Sequence, residues 1–229
     1  MSPSRDSPRV LVCDDEQQIL RALRVILRDA GFEALPASSA GEALDLAAVQ
    51  RPDAAIIDLL LPDSDGVELC RRLREWSEIP VIVLSAVGEE DAKVRALAAG
   101  ADDYVTKPFG PRELIARLHA NLRRTAPGPE EPVISVDGLE VSLARRTVQR
   151  DGEPIHLTPT EFDLLRLLTR NRGRLMTHRD LLVAVWGPGY GEDTQVLRAH
   201  VANLRRKIEP ADGPRYIRTD PGVGYRFVG

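Results

Sequence analysis

Four short strand-like runs, three of them wholly apolar and each followed by a polar residue, constrain this 229-residue chain more than any other feature. Val10-Leu11-Val12-Cys13 runs into Asp14 and Asp15, and Ala54-Ala55-Ile56-Ile57 into Asp58. Val81-Ile82-Val83-Leu84 runs into Ser85, and Asp103-Tyr104-Val105-Thr106 into Lys107. Short continuous apolar runs of this kind mark parallel strands buried on both faces. Helical patterns lie between them; Ile19, Leu20, Leu23, Ile26 and Leu27 recur at helical spacing and stop before Gly31, which suits the left-handed position after a helix end. Strands near 9–13, 33–37, 54–58, 80–85 and 103–106 alternate with helices near 40–50, 67–76, 90–99 and 111–124. Repeated βα units imply an α/β, doubly wound five-stranded parallel sheet.

In an open sheet of this type, ligands collect outside the carboxyl ends of the strands. Asp14, Asp15, Asp58, Ser85 and Lys107 should therefore converge on one crevice. Crowded carboxylates repel one another and call for a hard cation, and Mg²⁺ beside a phosphate is held by one or two carboxylates. A single acidic pair after a strand is commonly no more than a helix N-cap. Agreement among four strand ends points to a phosphoryl site.

Length allows two ordinary domains, and composition supports a division. Residues 1–124 carry 16 Lys/Arg against 21 Asp/Glu, whereas the stretch from Arg198 onward carries 7 against 3. The net charge of −4 thus hides a positive C-terminus and argues against a uniformly basic nucleic-acid binder. The segment 125–132, Thr-Ala-Pro-Gly-Pro-Glu-Glu-Pro, has the composition of a semi-extended linker between domains at 1–124 and 133–229. Cys13 and Cys70 sit in apolar periodic positions without metal-ligand spacing, as reduced core thiols of a cytoplasmic protein do. The start of the chain lacks the apolar centre of a leader peptide, and no apolar run approaches the ~18 residues needed to span a bilayer.

Beyond the linker the pattern changes to short alternating runs near 134–139, 140–143, 147–150 and 155–157, punctuated by the hairpin signals Asp137-Gly138 and Asp151-Gly152. Thr158-Pro159-Thr160-Glu161 predicts a helix start, with Thr158 as N-cap, Pro159 in the first turn and Glu161 completing a capping box. Further helices are expected near 179–186 and 194–209, then a terminal β-hairpin with a Gly/Pro-rich tip. At 100° per residue, Leu197, Val201, Leu204 and Ile208 form the buried stripe of the last helix. Gln195, Arg198, Ala199, Ala202, Asn203 and Arg206 fall opposite, with Arg205 and Lys207 on the flanks. Arginine and asparagine among small residues suit a helix in the major groove of double-stranded DNA, where Arg reads guanine and Asn reads adenine. Arg198, Asn203 and Arg206 are therefore expected to discriminate sequence, and Arg205 and Lys207 to contact phosphates. Arg218 and Arg226 in the hairpin are expected at the DNA backbone or minor groove. Trp76 and Trp186 both follow helical apolar patterns and are expected in the core.

These motifs resemble a known family over the whole chain. Residues 9–124, with Asp14-Asp15, Asp58, Ser85 and Lys107-Pro108-Phe109, resemble a two-component receiver domain. Residues 133–229, with Thr158-Pro159-Thr160-Glu161-Phe162 and Gly224-Tyr225-Arg226-Phe227, resemble the α+β winged helix-turn-helix effector of the OmpR/PhoB response regulators. Leu61-Pro62-Asp63-Ser64-Asp65-Gly66, Trp76-Ser77, Lys107-Pro108-Phe109-Gly110 and the Leu197-Arg198 helix are most similar to regulators of potassium-transport (Kdp-type) operons.

The resemblance implies that Asp58 accepts a phosphoryl group from a sensor histidine kinase. Asp15 and Asp58 would ligate Mg²⁺, with Asp14 acting through water and the Leu60 carbonyl completing the set. Lys107 would pair with Asp58 and then with the phosphoryl group, across a cis Lys107-Pro108 bond. Ser85 would donate to a phosphoryl oxygen, and Tyr104 would swing inward as a switch. Activation would produce a homodimer through charged positions at Lys93, Asp102, Asp103, Glu113, Arg117 and Arg124, although a pair usually Glu with Lys is here Ala98 with His119. Leu60 and Val87 flank the route to the phosphoryl group and cannot orient water, so slow loss of the phosphoryl group is expected. Two alternatives stay open: a phosphate-independent DNA-binding regulator, and an aspartyl-phosphate phosphatase of the haloacid-dehalogenase type. The second needs another Asp two residues after the nucleophile, where this chain has Leu60.

Overall fold

The structure is a computed structural model, describing residues 7–86, 90–123, 133–190, 193–210, 213 and 215–228. The chain divides into two compact units, Met1–Leu122 and Arg123–Gly229.

In the first unit the chain alternates strand and helix: β1 (Arg9–Cys13), α1 (Gln17–Asp29), β2 (Glu33–Ala37), α2 (Ala40–Gln50), β3 (Ala54–Asp58), α3 (Gly66–Arg74), β4 (Val81–Ala86), α4 (Glu90–Ala98), β5 (Asp103–Lys107) and α5 (Pro111–Arg123). All strand pairings are parallel and the order is β2-β1-β3-β4-β5. Strand order reverses between β1 and β3, which is where such sheets open a crevice. Side chains alternate across the sheet. Val10, Val12, Ile56, Ile82 and Leu84 pack with Leu20, Leu23, Leu27, Leu114 and Leu118 of α1 and α5, while Leu11, Ile57 and Val83 are buried as well. With both faces covered, these strands need apolar residues at every position. α1 ends at Ala30, and Gly31 takes the left-handed conformation (φ 86°) just beyond.

Trp76 departs from the expected core position: it is 53% exposed. Arg74, two residues earlier, is the side chain that turns in. Its guanidinium donates to the Gly100, Ser77 and Ile79 carbonyls and pairs with Asp102 at 2.7 Å.

The second unit opens with an antiparallel sheet of β6 (Val133–Val136), β7 (Leu139–Ser142), β8 (Thr147–Arg150) and β9 (Glu153–Ile155). Asp137, Gly138, Asp151 and Gly152 all have positive φ, as two-residue type I′ hairpins require. There follow α6 (Pro159–Arg170), β10 (Leu175–Thr177), α7 (His178–Trp186), α8 (Thr194–Ile208), β11 (Ile217–Asp220) and β12 (Gly224–Phe227). Thr158 and Glu161 form the reciprocal capping box at the start of α6. The terminal hairpin gains a third strand that the sequence pattern does not reveal, giving the order β10-β12-β11. Three residues are too few for a periodic signal. The pairing depends on Gly224, where a β-carbon would overlap the Met176 carbonyl oxygen.

Candidate functional site

β1, β3 and β5 deliver their polar ends to one cleft of about 370 Å³, lined in part by Asp15, Asp58, Leu60 and Lys107. Carboxylate oxygens of Asp14, Asp15 and Asp58 lie within 4.8 Å of one another. The Lys107 ammonium reaches between two of them, 2.8 Å from Asp14 and 2.8 Å from Asp58. Asp14 is fully buried and also accepts from the Glu16 backbone N–H at 2.9 Å, so its orientation is fixed from two sides. Three carboxylates against one ammonium leave the cleft formally negative, the donor set a hard divalent cation favours.

Burial is the main effect that raises the Asp58 carboxyl above its ordinary range; the Asp14 charge adds to it, and the Lys107 hydrogen bond and charge pull against it. Burial alone would lower the Lys107 ammonium, but its bonds to Asp14 and Asp58 outweigh that and hold it above its usual value. It is therefore a fixed positive charge at neutral pH. On the neighbouring strand, the Ser85 hydroxyl is fully buried and has no hydrogen-bond partner among the described residues. Such groups are uncommon and carry a desolvation cost, so a hydroxyl in this condition is suited to an incoming acceptor. The Lys107-Pro108 bond is cis.

The loop after β3 is held close to the cleft. Gly66 packs so tightly under β3 that a β-carbon there would overlap the Asp58 carbonyl oxygen. Asp63 accepts from the Ala40 and Gly41 backbone N–H groups, tying the loop to the start of α2 and keeping its own carboxyl low. Leu60 stands outward, 65% exposed. Cys13 lies beneath, its thiol pushed up to about 12 by burial and by Asp63, Asp14 and Asp58, which leaves it unreactive. Val87, the other residue expected to flank the phosphoryl route, lies outside the described residues.

The charged positions on α4, β5 and α5 are less exposed than their sequence suggests. Lys93 is only 7% exposed and its ammonium sits 4.9 Å from the centre of the half-buried Tyr104 ring. Asp102 is fully buried, held by Arg74 and by the Val81 N–H. Asp103 is buried against Arg117, which also pairs with Glu113 at 2.7 Å. A pattern of charges without tertiary context cannot separate exposed residues from those paired within the unit. Arg124 lies outside the described residues.

In the second unit, Leu197, Val201, Leu204 and Ile208 of α8 are buried as the helical wheel requires. Arg198, Ala202 and Arg206 are exposed. Asn203, expected on the same outer face, is buried at 3% exposure and accepts from Arg206 at 2.9 Å. The wheel puts it on the outer side, so its burial comes from packing of neighbouring elements against α8 rather than from its angle on the helix. Arg205 and Lys207 also depart from expectation by turning inward. Arg205 bonds to β11, and Lys207 pairs with Glu161 at 2.6 Å, reinforcing the capping box of α6. In the hairpin Arg218 is exposed, whereas Arg226 donates to the Gly173 carbonyl at 2.9 Å. His200, buried, packs on Trp186 with ring centres 5.2 Å apart.

A cation-ready carboxylate cleft at the strand ends of a doubly wound sheet, followed by a helix-turn-helix and hairpin unit, defines a receiver coupled to a DNA-binding effector. Comparison with known proteins agrees. Residues 10–119 match the response regulator receiver domain, and residues 152–227 match the C-terminal domain of transcriptional regulatory proteins. The chain is 50% identical over 221 residues to the transcriptional regulatory protein KdpE of Mycobacterium tuberculosis, covering 95% of this chain and 98% of that protein. It is 47% identical to the KDP operon transcriptional regulatory protein KdpE of Escherichia coli, covering 96% and 98%. Among solved structures, the response regulator DrrB of Thermotoga maritima, an OmpR/PhoB homolog, is 32% identical with a TM-score of 0.52, covering 97% of this chain and all of that one. The chain belongs to the two-component response regulators with an OmpR/PhoB-type effector, and it is a DNA-binding transcriptional regulator of Kdp type. Its helices include none, among the described residues, long and apolar enough to cross a membrane.

Proposed function

We propose that Asp58 takes a phosphoryl group from a sensor histidine kinase and that this controls binding to the promoter of a potassium-transport operon, in the cytoplasm. The observation that carries the reading is the Lys107 ammonium bridging Asp14 and Asp58 at 2.8 Å, beside a buried Ser85 hydroxyl with no partner among the described residues. Asp58 supplies the attacking oxygen. Asp15, Asp58 and the Leu60 carbonyl would hold Mg²⁺, with Asp14 acting through water. When bound, that ion supplies the positive charge that offsets the phosphoryl oxygens during transfer. Lys107 then moves its hydrogen bond from Asp58 to the phosphoryl group, and Ser85 donates to another of its oxygens. Tyr104 follows Ser85 inward, freeing the ammonium of Lys93 from its ring. Receivers then pair through the α4, β5 and α5 face, using Lys93, Asp103, Glu113, Arg117 and Arg124. Exposed ionic contacts are worth ~0–1 kcal/mol each, so the pairing relies on several together. On DNA, the exposed Arg198 and Arg206 contact bases and Arg218 the backbone, while Asn203, Lys207 and Arg226 hold the surfaces that do so.

Incubation with acetyl phosphate and Mg²⁺ should add one phosphoryl group, and Asp58→Asn or a chelator should abolish labelling. Equal labelling of the Asp58→Asn protein would overturn the assignment. Beryllofluoride should shift the sedimentation coefficient from monomer to dimer; an unchanged monomer counts against the pairing face.

A further inference from the structure

Two charged residues at the end of α8, Arg205 and Glu209, engage the hairpin rather than solvent. Arg205 and Glu209 are four residues apart and so share one face of the helix end. Arg205 donates to the Ile217 carbonyl oxygen from Nε at 3.2 Å and Nη2 at 2.7 Å, and from Nη2 to Thr219 Oγ1 at 2.8 Å. Its guanidinium also lies 5.6 Å from the centre of the Tyr225 ring. The buried Glu209 carboxylate answers with one oxygen, Oε1, that accepts from the Tyr216 and Ile217 backbone N–H groups at 2.9 Å each. Both backbone groups of Ile217 are thus held by side chains of α8.

The topology explains why they are available. β11 is an edge strand, and in an antiparallel pair alternate residues turn both backbone groups to the same side. Ile217 turns its groups away from β12. Edges of this kind need a cover, and here two ionised side chains provide it through charge-assisted hydrogen bonds, the stronger kind.

We propose that Arg205 and Glu209 are positioning residues, a clamp that fixes the angle between α8 and the β11–β12 hairpin so that both meet the duplex at a set separation. Arg205 itself touches no phosphate. The inference rests on the DNA-binding reading of this unit. Its consequence is that the contact made by Arg218 in the hairpin depends on Arg205 in the helix.

The test uses the full chain activated with beryllofluoride and Mg²⁺, a duplex selected by the activated wild-type protein from a randomised pool, and a double-mutant cycle of Arg205→Met with Arg218→Ala. Under the clamp, Arg205→Met weakens binding roughly tenfold, erases the flank of the hydroxyl-radical footprint that Arg218→Ala also thins, and leaves Arg218→Ala with no further effect. In the free protein it also accelerates amide exchange across β11 and β12, by about tenfold, with the amides of α6 unchanged. Additive losses, each lowering the salt slope by about 1, with hairpin exchange at the wild-type rate, would overturn the clamp and make Arg205 a phosphate contact. Should Arg205→Met fail to fold, Thr219→Val removes one of its partners alone; hairpin exchange must then rise, and a wild-type rate overturns the proposal. If the wild-type protein selects no duplex, the DNA-binding reading fails, while the exchange measurement still decides the clamp.

Discussion

The cleft of the first unit and the packed helices of the second use their charged residues in opposite ways. In the first, Asp14, Asp15, Asp58 and Lys107 are gathered at strand ends around a cleft, where three carboxylates meet one ammonium. In the second, Glu161, Lys207, Arg205 and Glu209 are taken up inside the unit, where they hold helices and hairpin in register. At a strand end the hydrogen-bonded ladder of the sheet stops and ligands collect beside it, so charge there is available to a ligand. A helix offers every face, and packing decides which charges remain outside. The same contrast separates substitutions that should disturb chemistry from those that should disturb architecture.

The largest effect is expected at Gly66, where architecture and chemistry meet. A methyl group at Gly66→Ala collides with the backbone of β3 rather than with a flexible side chain, so destabilisation should reach about 3 kcal/mol, the upper range for overpacking. Urea unfolding should show it, along with reduced labelling by acetyl phosphate. Stability within 0.5 kcal/mol of wild type, an order-of-magnitude threshold for neutral surface changes, would mean that the loop after β3 moves easily.

Asn203 and Arg206 sharpen the contrast within one helix. Asn203→Ala removes a buried polar group and should cost about 1–3 kcal/mol of stability with base preference unchanged. Arg206→Ala should leave stability nearly intact and relax base preference, losing about 1–3 kcal/mol against the best site. Thermal unfolding and binding to a panel of single-base variants separate the two, and the reverse pattern would put Asn203 back on the reading face.

Thr158→Ala should cost about 1 kcal/mol, as the loss of a helix N-cap does. Its effect should grow when Lys207→Met is also present, because Glu161 serves both the cap and the ion pair. Additive losses would show that the two contacts are independent.

The smallest effect on stability is expected at Leu60. Being exposed beside the cleft, it can be replaced without cost to the core, yet Leu60→Asn could orient a water towards the phosphoryl group. Decay of the phosphorylated protein should quicken by up to about tenfold, roughly 1.4 kcal/mol in the barrier. An unchanged half-life would remove Leu60 as the cause of slow hydrolysis.

The sequence by itself determined the alternating units of the first domain, the strand ends of its cleft, both Asp-Gly hairpins and the capping box at Thr158. Each depends on a local rule: period, turn chemistry or a fixed offset between two residues. Tertiary structure alone decided that Asn203 is buried, that Arg205 and Lys207 turn inward, that Lys93 covers Tyr104 and that Asp102 is paired beneath the surface. It also decided that Trp76 is exposed and that β10 joins the terminal hairpin. Those outcomes depend on which partner lies across the packing interface, often far away in the chain, as with Lys207 and Glu161 or Arg74 and Asp102. A helical wheel gives the angle at which a side chain leaves the helix, but only the packed neighbours determine whether water or protein receives it.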